Sequence, residues 1–129
     1  MKIENLVSGM MTMSVKGRLW HWLTPNAQHH KVFEDFLNEN ILLTDSFVES
    51  ALGNSLDVAL EKGVSVNKGS VDSYSIDSAR KDLAAYRDEA RKAQEELDLK
   101  DEGAKNELTT ILDDVIELCS KTTYMLRLK

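Results

Sequence analysis

Residues 19–53 read LWHWLTPNAQHHKVFEDFLNENILLTDSFVESALG, and this run decides the fold. The chain's one proline, Pro25, stands near its start and Gly53 closes it, with no further proline or glycine between them. Thr24 is expected to cap the free N–H groups of a helix whose first position is Pro25, where a missing donor costs nothing. Gly53 is expected to end that helix. Between them Phe33, Phe36, Leu37, Ile41, Phe47 and Val48 recur at helical spacing and build an apolar arc.

The same helix carries the informative chemistry. His30 and Glu34 are one turn apart, and Asp45 and Glu49 repeat that spacing. With His30 at zero, a step of about 100° per residue puts Glu34 at about 40°, Asp45 at about 60° and Glu49 at about 100°. Nitrogen plus carboxylate is a donor mix suited to iron or manganese and tolerable for zinc. Along the axis, however, the two pairs stand roughly 22 Å apart, so one ion within one chain cannot reach both. Two copies of the helix, crossing antiparallel near residues 39–40, bring His30 and Glu34 of one against Asp45 and Glu49 of the other. Asn38 and Leu42 sit on the crossing face, and an apolar Leu42 among polar neighbours fits a covering partner. Each pair taken singly is also what a solvated helix face shows by chance. His29 lies about 100° from His30 and reads as a solvated neighbour.

Outward from this run, Ile3, Leu6, Val7, Met10, Met13, Gly17 and Trp20 give a preceding amphipathic helix ending at Leu23. His21 lies on its stripe, pointing to the bundle, either as an additional nitrogen ligand or as a hydrogen-bonded core histidine. The Trp20–Trp22 pair reads as packing at that helix's end, and Cys119, the one cysteine, as a small core hydrophobe. A short turn makes these two helices an antiparallel pair. Residues 54–75 are Ser-, Gly- and Asn-rich, with a short helix expected over Asp57–Glu61 ended by Gly63. Asp77 and Ser78 open a third helix to about Asp98, with Ile76, Ala79, Leu83, Tyr86 and Ala90 as its stripe. A fourth starts near Asp101, with Leu108, Ile111, Leu112, Val115, Leu118, Cys119, Thr122 and Met125 inward. Two hairpins joined by a long crossover predict an all-α, up-down-down-up four-helix bundle of ferritin-like topology, one domain over residues 1–129.

Composition bounds the function. Sixteen Lys+Arg against 22 Asp+Glu give a formal net charge of −6, which argues against nucleic acid. No apolar run approaches the length of a membrane span, and no secretory leader opens the chain. A single cysteine excludes a disulfide framework and a Cys-rich zinc site. A cytoplasmic helical domain is the expectation.

The stretch quoted above resembles the signature of the Dps-like (starved-cell DNA-protection) branch of the ferritin superfamily, in which His-Trp ends the first helix. The second helix there carries His-x3-carboxylate and, eleven residues on, Asp-x3-Glu. Here these are His21-Trp22, His30, Glu34, Asp45 and Glu49. The resemblance implies a ferroxidase site shared by two subunits across a two-fold, in a homo-oligomer that can reach a dodecameric shell. It further implies Fe(II) oxidation by peroxide or dioxygen for iron storage or detoxification, with Mn or Zn as substitute ions. His21, His30, Glu34, Asp45 and Glu49 would be both metal-ligating and catalytic. Three departures stand out. His21 precedes His30 by only nine residues, closer than the family interval; Glu34 replaces the usual Asp; and the chain shows no basic N-terminal tail of the DNA-binding kind. The competing expectation is a non-catalytic ferritin-like helical oligomer acting as a scaffold through the same face.

Overall fold

The computed structural model describes residues 1–58, 64, 66 and 73–128. Among them are four helices and no strand: α1 (Ile3–Leu23), α2 (Ala27–Gly53), α3 (Ile76–Glu96) and α4 (Glu102–Arg127). Their directions follow from contacts between ends. The N-terminal ammonium of Met1 donates to the Glu96 carbonyl, and Lys16 pairs with Asp82 at 3.3 Å, so α1 and α3 run opposite ways. Arg80 donates to the Leu126 carbonyl and Gln94 to that of Thr109, which makes α3 and α4 antiparallel. Ser50 donates to Glu107 at 2.8 Å, setting the end of α2 beside the start of α4. The order is therefore up, down, down, up, and α2 ends at the pole opposite to the start of α3. Of the short helix expected over Asp57–Glu61, Asp57 and Val58 are not helical, and the rest, with Gly63, lies outside the described residues.

Two helix boundaries of α2 differ from the sequence reading. The cap is Asn26, not Thr24. Its Oδ1 accepts from the N–H groups of Gln28 (2.9 Å) and His29 (3.1 Å), and Asn is among the strongest caps. Pro25 consequently lies before the cap rather than in the first turn. At the other end Gly53 stays helical, and Ser55 takes the left-handed conformation at φ 59°. Ser55 N–H bonds the Leu52 carbonyl and Leu56 N–H that of Ala51, the paired bonds that terminate a helix around a left-handed residue. Ser75 caps α3 and Asp101 caps α4, where a break was expected.

Phe33, Phe36 and Phe47 of α2 form the centre of the core with Met10, Leu83, Leu108, Leu112 and Val115. Each such side chain contributes about 1.5–3 kcal/mol by leaving water. Gly17 lets α2 approach α1, since a Cβ there would lie 3.1 Å from a Phe36 ring carbon. Not every residue expected inward is buried. Ile41 and Met125 are exposed, and Ile111 and Leu118 are partly covered.

Buried among these apolar groups is Asn40. Its amide donates to the Met10 carbonyl (3.0 Å) and to Ser14 Oγ (2.8 Å), while Tyr86 Oη donates to its Oδ1 at 2.5 Å. Asn40 thus ties α1, α2 and α3 at one level. Only one relative depth of the three helices satisfies all these groups, so the network pins their register.

Candidate metal centre

The α1–α2 connection is only three residues long, Thr24–Asn26, and this brevity brings His21 and His30 together. Trp20 and Phe33 pack at 5.4 Å between ring centroids directly beneath, holding the hairpin closed. Thr24 N–H takes the Trp20 carbonyl (3.0 Å), and the next carbonyl of α1, that of His21, receives His30 Nδ1 at 2.7 Å. The relation is reciprocal: His21 Nδ1 bonds the His30 carbonyl at 3.0 Å. The two rings stack with centroids 3.8 Å apart and planes 23° from parallel.

The acceptors settle the protonation of these nitrogens. A carbonyl oxygen only accepts, so each Nδ1 carries its hydrogen, and Nε2 is the nitrogen at which the neutral form of either ring offers a lone pair. A backbone carbonyl on the far nitrogen is the usual orienting partner of a metal-binding histidine. Neither Nε2 has a hydrogen-bond partner among the described residues. His21 is half-buried and His30 exposed, so the pair opens to the surface.

Glu34 sits one turn along α2 from His30 and is half-buried, with Lys31 Nζ 3.8 Å from its carboxylate. Lys31 lies nearer to Asp35, at 3.2 Å. The hydrogen bond and charge of Asp35, with a smaller contribution from Glu34, hold the Lys31 ammonium above its ordinary range. Asp45 and Glu49 are exposed farther along α2, and neither makes an ion pair or hydrogen bond among the described residues. One copy of the chain therefore brings His21, His30 and Glu34 to one end of a face and Asp45 and Glu49 to the other. Among the described residues, no group of three or more His, Cys, Asp or Glu side chains within one copy is placed to hold an ion.

Two surroundings escaped the sequence reading. Trp22 does not pack into the bundle: it is 61% exposed, with the Arg18 guanidinium 5.8 Å from its ring centroid. His29 is half-buried and meets the edge of Phe33. The sequence does not single out Asn40, because an asparagine following Asn38 and Glu39 reads as part of a polar run and not as a core position. Leu42 is 62% exposed and Ile41 and Leu52 accompany it, so the face that carries the carboxylates has an apolar component. A cavity of about 470 Å³ lies on the other side of α1, lined by Trp20, Lys16, Tyr74 and Asp82, and contains neither imidazole.

No helix among the described residues is long and apolar enough to cross a membrane. A family model described as a family of unknown function, DUF5856, matches residues 21–126, and the chain belongs to that family. No curated protein and no solved structure matches it.

Proposed function

We propose that this DUF5856 member is an iron-binding homo-oligomer of Dps-like type that oxidises Fe(II) at sites shared between two subunits. The observation that carries the reading is the reciprocal His21–His30 pair, whose Nδ1–H groups are both committed to carbonyls while both Nε2 atoms stay available. In this reading His21 and His30 supply neutral nitrogen, and Glu34, one turn along α2 from His30, supplies a carboxylate. Asp45 and Glu49 come from the second copy, because α2 keeps them roughly 22 Å away in the first. The exposed Leu42 between the two pairs supports a covering subunit at that place.

Iron is the substrate. Hard anionic oxygens favour Fe(III) over Fe(II), so the three carboxylates lower the cost of removing an electron from each ion. Two Fe(II) ions supply the two electrons that convert one peroxide to two hydroxides; dioxygen is the other oxidant of this class. Mn(II) and Zn(II) fit the same donors as competing ions. Ligation needs neutral imidazole and ionised carboxylate, so uptake falls in acid. The ferritin-like description of the bundle, with its crossover, belongs to the same reading.

A second reading, a helical scaffold without metal chemistry, draws on the same imidazoles as hairpin caps, since each satisfies a backbone carbonyl. Sedimentation mass together with Fe(II) titration of the wild type, His30→Ala and Glu49→Ala separates the two. The ferroxidase reading expects an oligomer that takes up and oxidises iron, with both variants impaired. An assembled protein that oxidises Fe(II) no faster than buffer leaves only the scaffold.

A further inference from the structure

We propose that Lys31 and Asp35 are positioning residues for Glu34. Lys31 restrains the Glu34 carboxylate while no cation is bound, and Asp35 keeps Lys31 when a divalent cation takes Glu34. The proposal rests on the metal-binding reading of His21, His30 and Glu34 above, and concerns how that site is filled.

The order of charges around α2 carries the argument. With His30 at zero, about 100° per residue places Glu34 at about 40°, Lys31 at about 100° and Asp35 at about 140°. Lys31 thus stands between two carboxylates, with Asp35 on its side away from the imidazole. Its ammonium lies 3.8 Å from Glu34 Oε2 and 3.2 Å from Asp35 Oδ1, so one cation serves both. Asp35 also borders the groove between α2 and α4.

Glu34 is the carboxylate at the imidazole end of the site, so whatever holds it competes with an incoming ion. That ion has to displace the Lys31 ammonium, and it carries the same sign of charge. An ion pair this exposed is weak, and displacement is easy as long as the ammonium keeps another partner. Asp35 is that partner: Lys31 gives up its longer contact and retains its shorter one. Without Asp35, Glu34 is the remaining ion-pair partner of Lys31 among the described residues. The two substitutions that break the Lys31–Asp35 pair therefore act on cation binding in opposite directions. A role in helix stability alone would move both the same way.

Calorimetric titration of the full-length protein with Co(II) tests this. Lys31→Met should tighten Co(II) binding about fivefold and Asp35→Asn should weaken it about threefold. Lys31→Arg keeps the charge and should bind as the wild type does. In the Lys31→Met background, Asp35→Asn should show at most about half of its effect, because the ammonium it releases is gone. Both positions are exposed, so circular dichroism should show unchanged helix. Lys31→Gln removes the same charge should Lys31→Met aggregate. Shifts of the same sign in the two single variants, or no shift in either, overturn the proposal. An undiminished Asp35→Asn effect in the Lys31→Met background also overturns it, since Asp35 would then attract the ion directly. His30→Ala separates the proposal from the reading beneath it. If His30→Ala binds Co(II) as the wild type does, the metal site falls and the proposal with it. If His30→Ala loses binding while the Lys31 and Asp35 variants match the wild type, only the proposal falls.

Discussion

His21 and His30 each bond the other's backbone carbonyl through Nδ1, so one interaction closes the α1–α2 hairpin and selects the tautomer of both rings. The two consequences separate by substitution. Asparagine carries an amide N–H near the position of Nδ1 but nothing at Nε2. His30→Asn should therefore keep the His21 carbonyl satisfied and the melting temperature close to wild type. His30→Ala should cost about 1 kcal/mol through the lost hydrogen bond. Both should weaken iron binding by at least the ~10–100-fold that lesser changes around metal sites produce. Calorimetry with Fe(II) titration checks the pair, and an Asn variant that binds iron normally removes His30 from the site.

Tyr86 donates to a buried Asn40 whose other hydrogen-bonding groups are already engaged. Burial pushes the Tyr86 hydroxyl far above its ordinary range, so it remains a donor throughout the working pH. Tyr86→Phe should leave Asn40 Oδ1 without its donor and cost about 1–3 kcal/mol, roughly 4–12 °C in Tm. Removing the amide in Asn40→Ala should cost more, since it orphans Tyr86 and opens a cavity. Thermal unfolding followed by circular dichroism measures both.

The difference between these two features shows what the sequence carries. Four helices, their order and their direction were legible because apolar residues such as Phe33, Leu83 and Leu112 obey the helical period that burial imposes. The His30–Glu34 and Asp45–Glu49 spacings were legible as geometry along one helix. The stacking of His21 on His30 was not, because it depends on a three-residue connection whose path is set by the Asn26 cap. Exposure of Trp22 and Ile41 was hidden for a related reason: periodicity marks a side chain as apolar but not whether this chain or another copy covers it.

Gly53 and Ser55 carry each other's preferred conformations. Gly53 is helical and a Cβ there meets nothing within 4 Å, whereas Ser55 holds a positive φ of 59° that glycine adopts without strain. Gly53→Ala should stabilise by about 0.5–1 kcal/mol and Ser55→Gly by a similar amount, with the double variant near their sum. Gly17→Ala is the contrast: its Cβ would stand 3.1 Å from Phe36, and it should destabilise by about 1–3 kcal/mol. Urea midpoints at constant m decide all three.

Glu107 accepts from Asn54 (2.7 Å) and Ser50 (2.8 Å), linking the end of α2 to α4. These bonds, Asn54's first, hold its carboxyl below the ordinary 4.5. A folded value below the unfolded one means that protonation favours the unfolded chain. Its contribution is complete above about 4.5 and is lost as pH falls through the lower folded value. Glu107→Gln should therefore flatten the fall of Tm below pH 5 while leaving its slope above pH 6 unchanged. Parallel melting curves over that range check this, and identical acid limbs would remove the linkage.

The shared site makes its strongest prediction for mixed assemblies. His30→Ala and Glu49→Ala should each oxidise Fe(II) poorly, because every site loses one ligand. Co-expressed in equal amounts, half of the pairs contain one subunit of each kind. In such a pair one site carries both lesions and the other neither, so about one quarter of wild-type sites are restored. Stopped-flow Fe(II) oxidation per subunit should recover to that fraction. If His30 and Glu49 served the same subunit's ion, each chain would bring its own lesion to every site, and mixing would restore nothing.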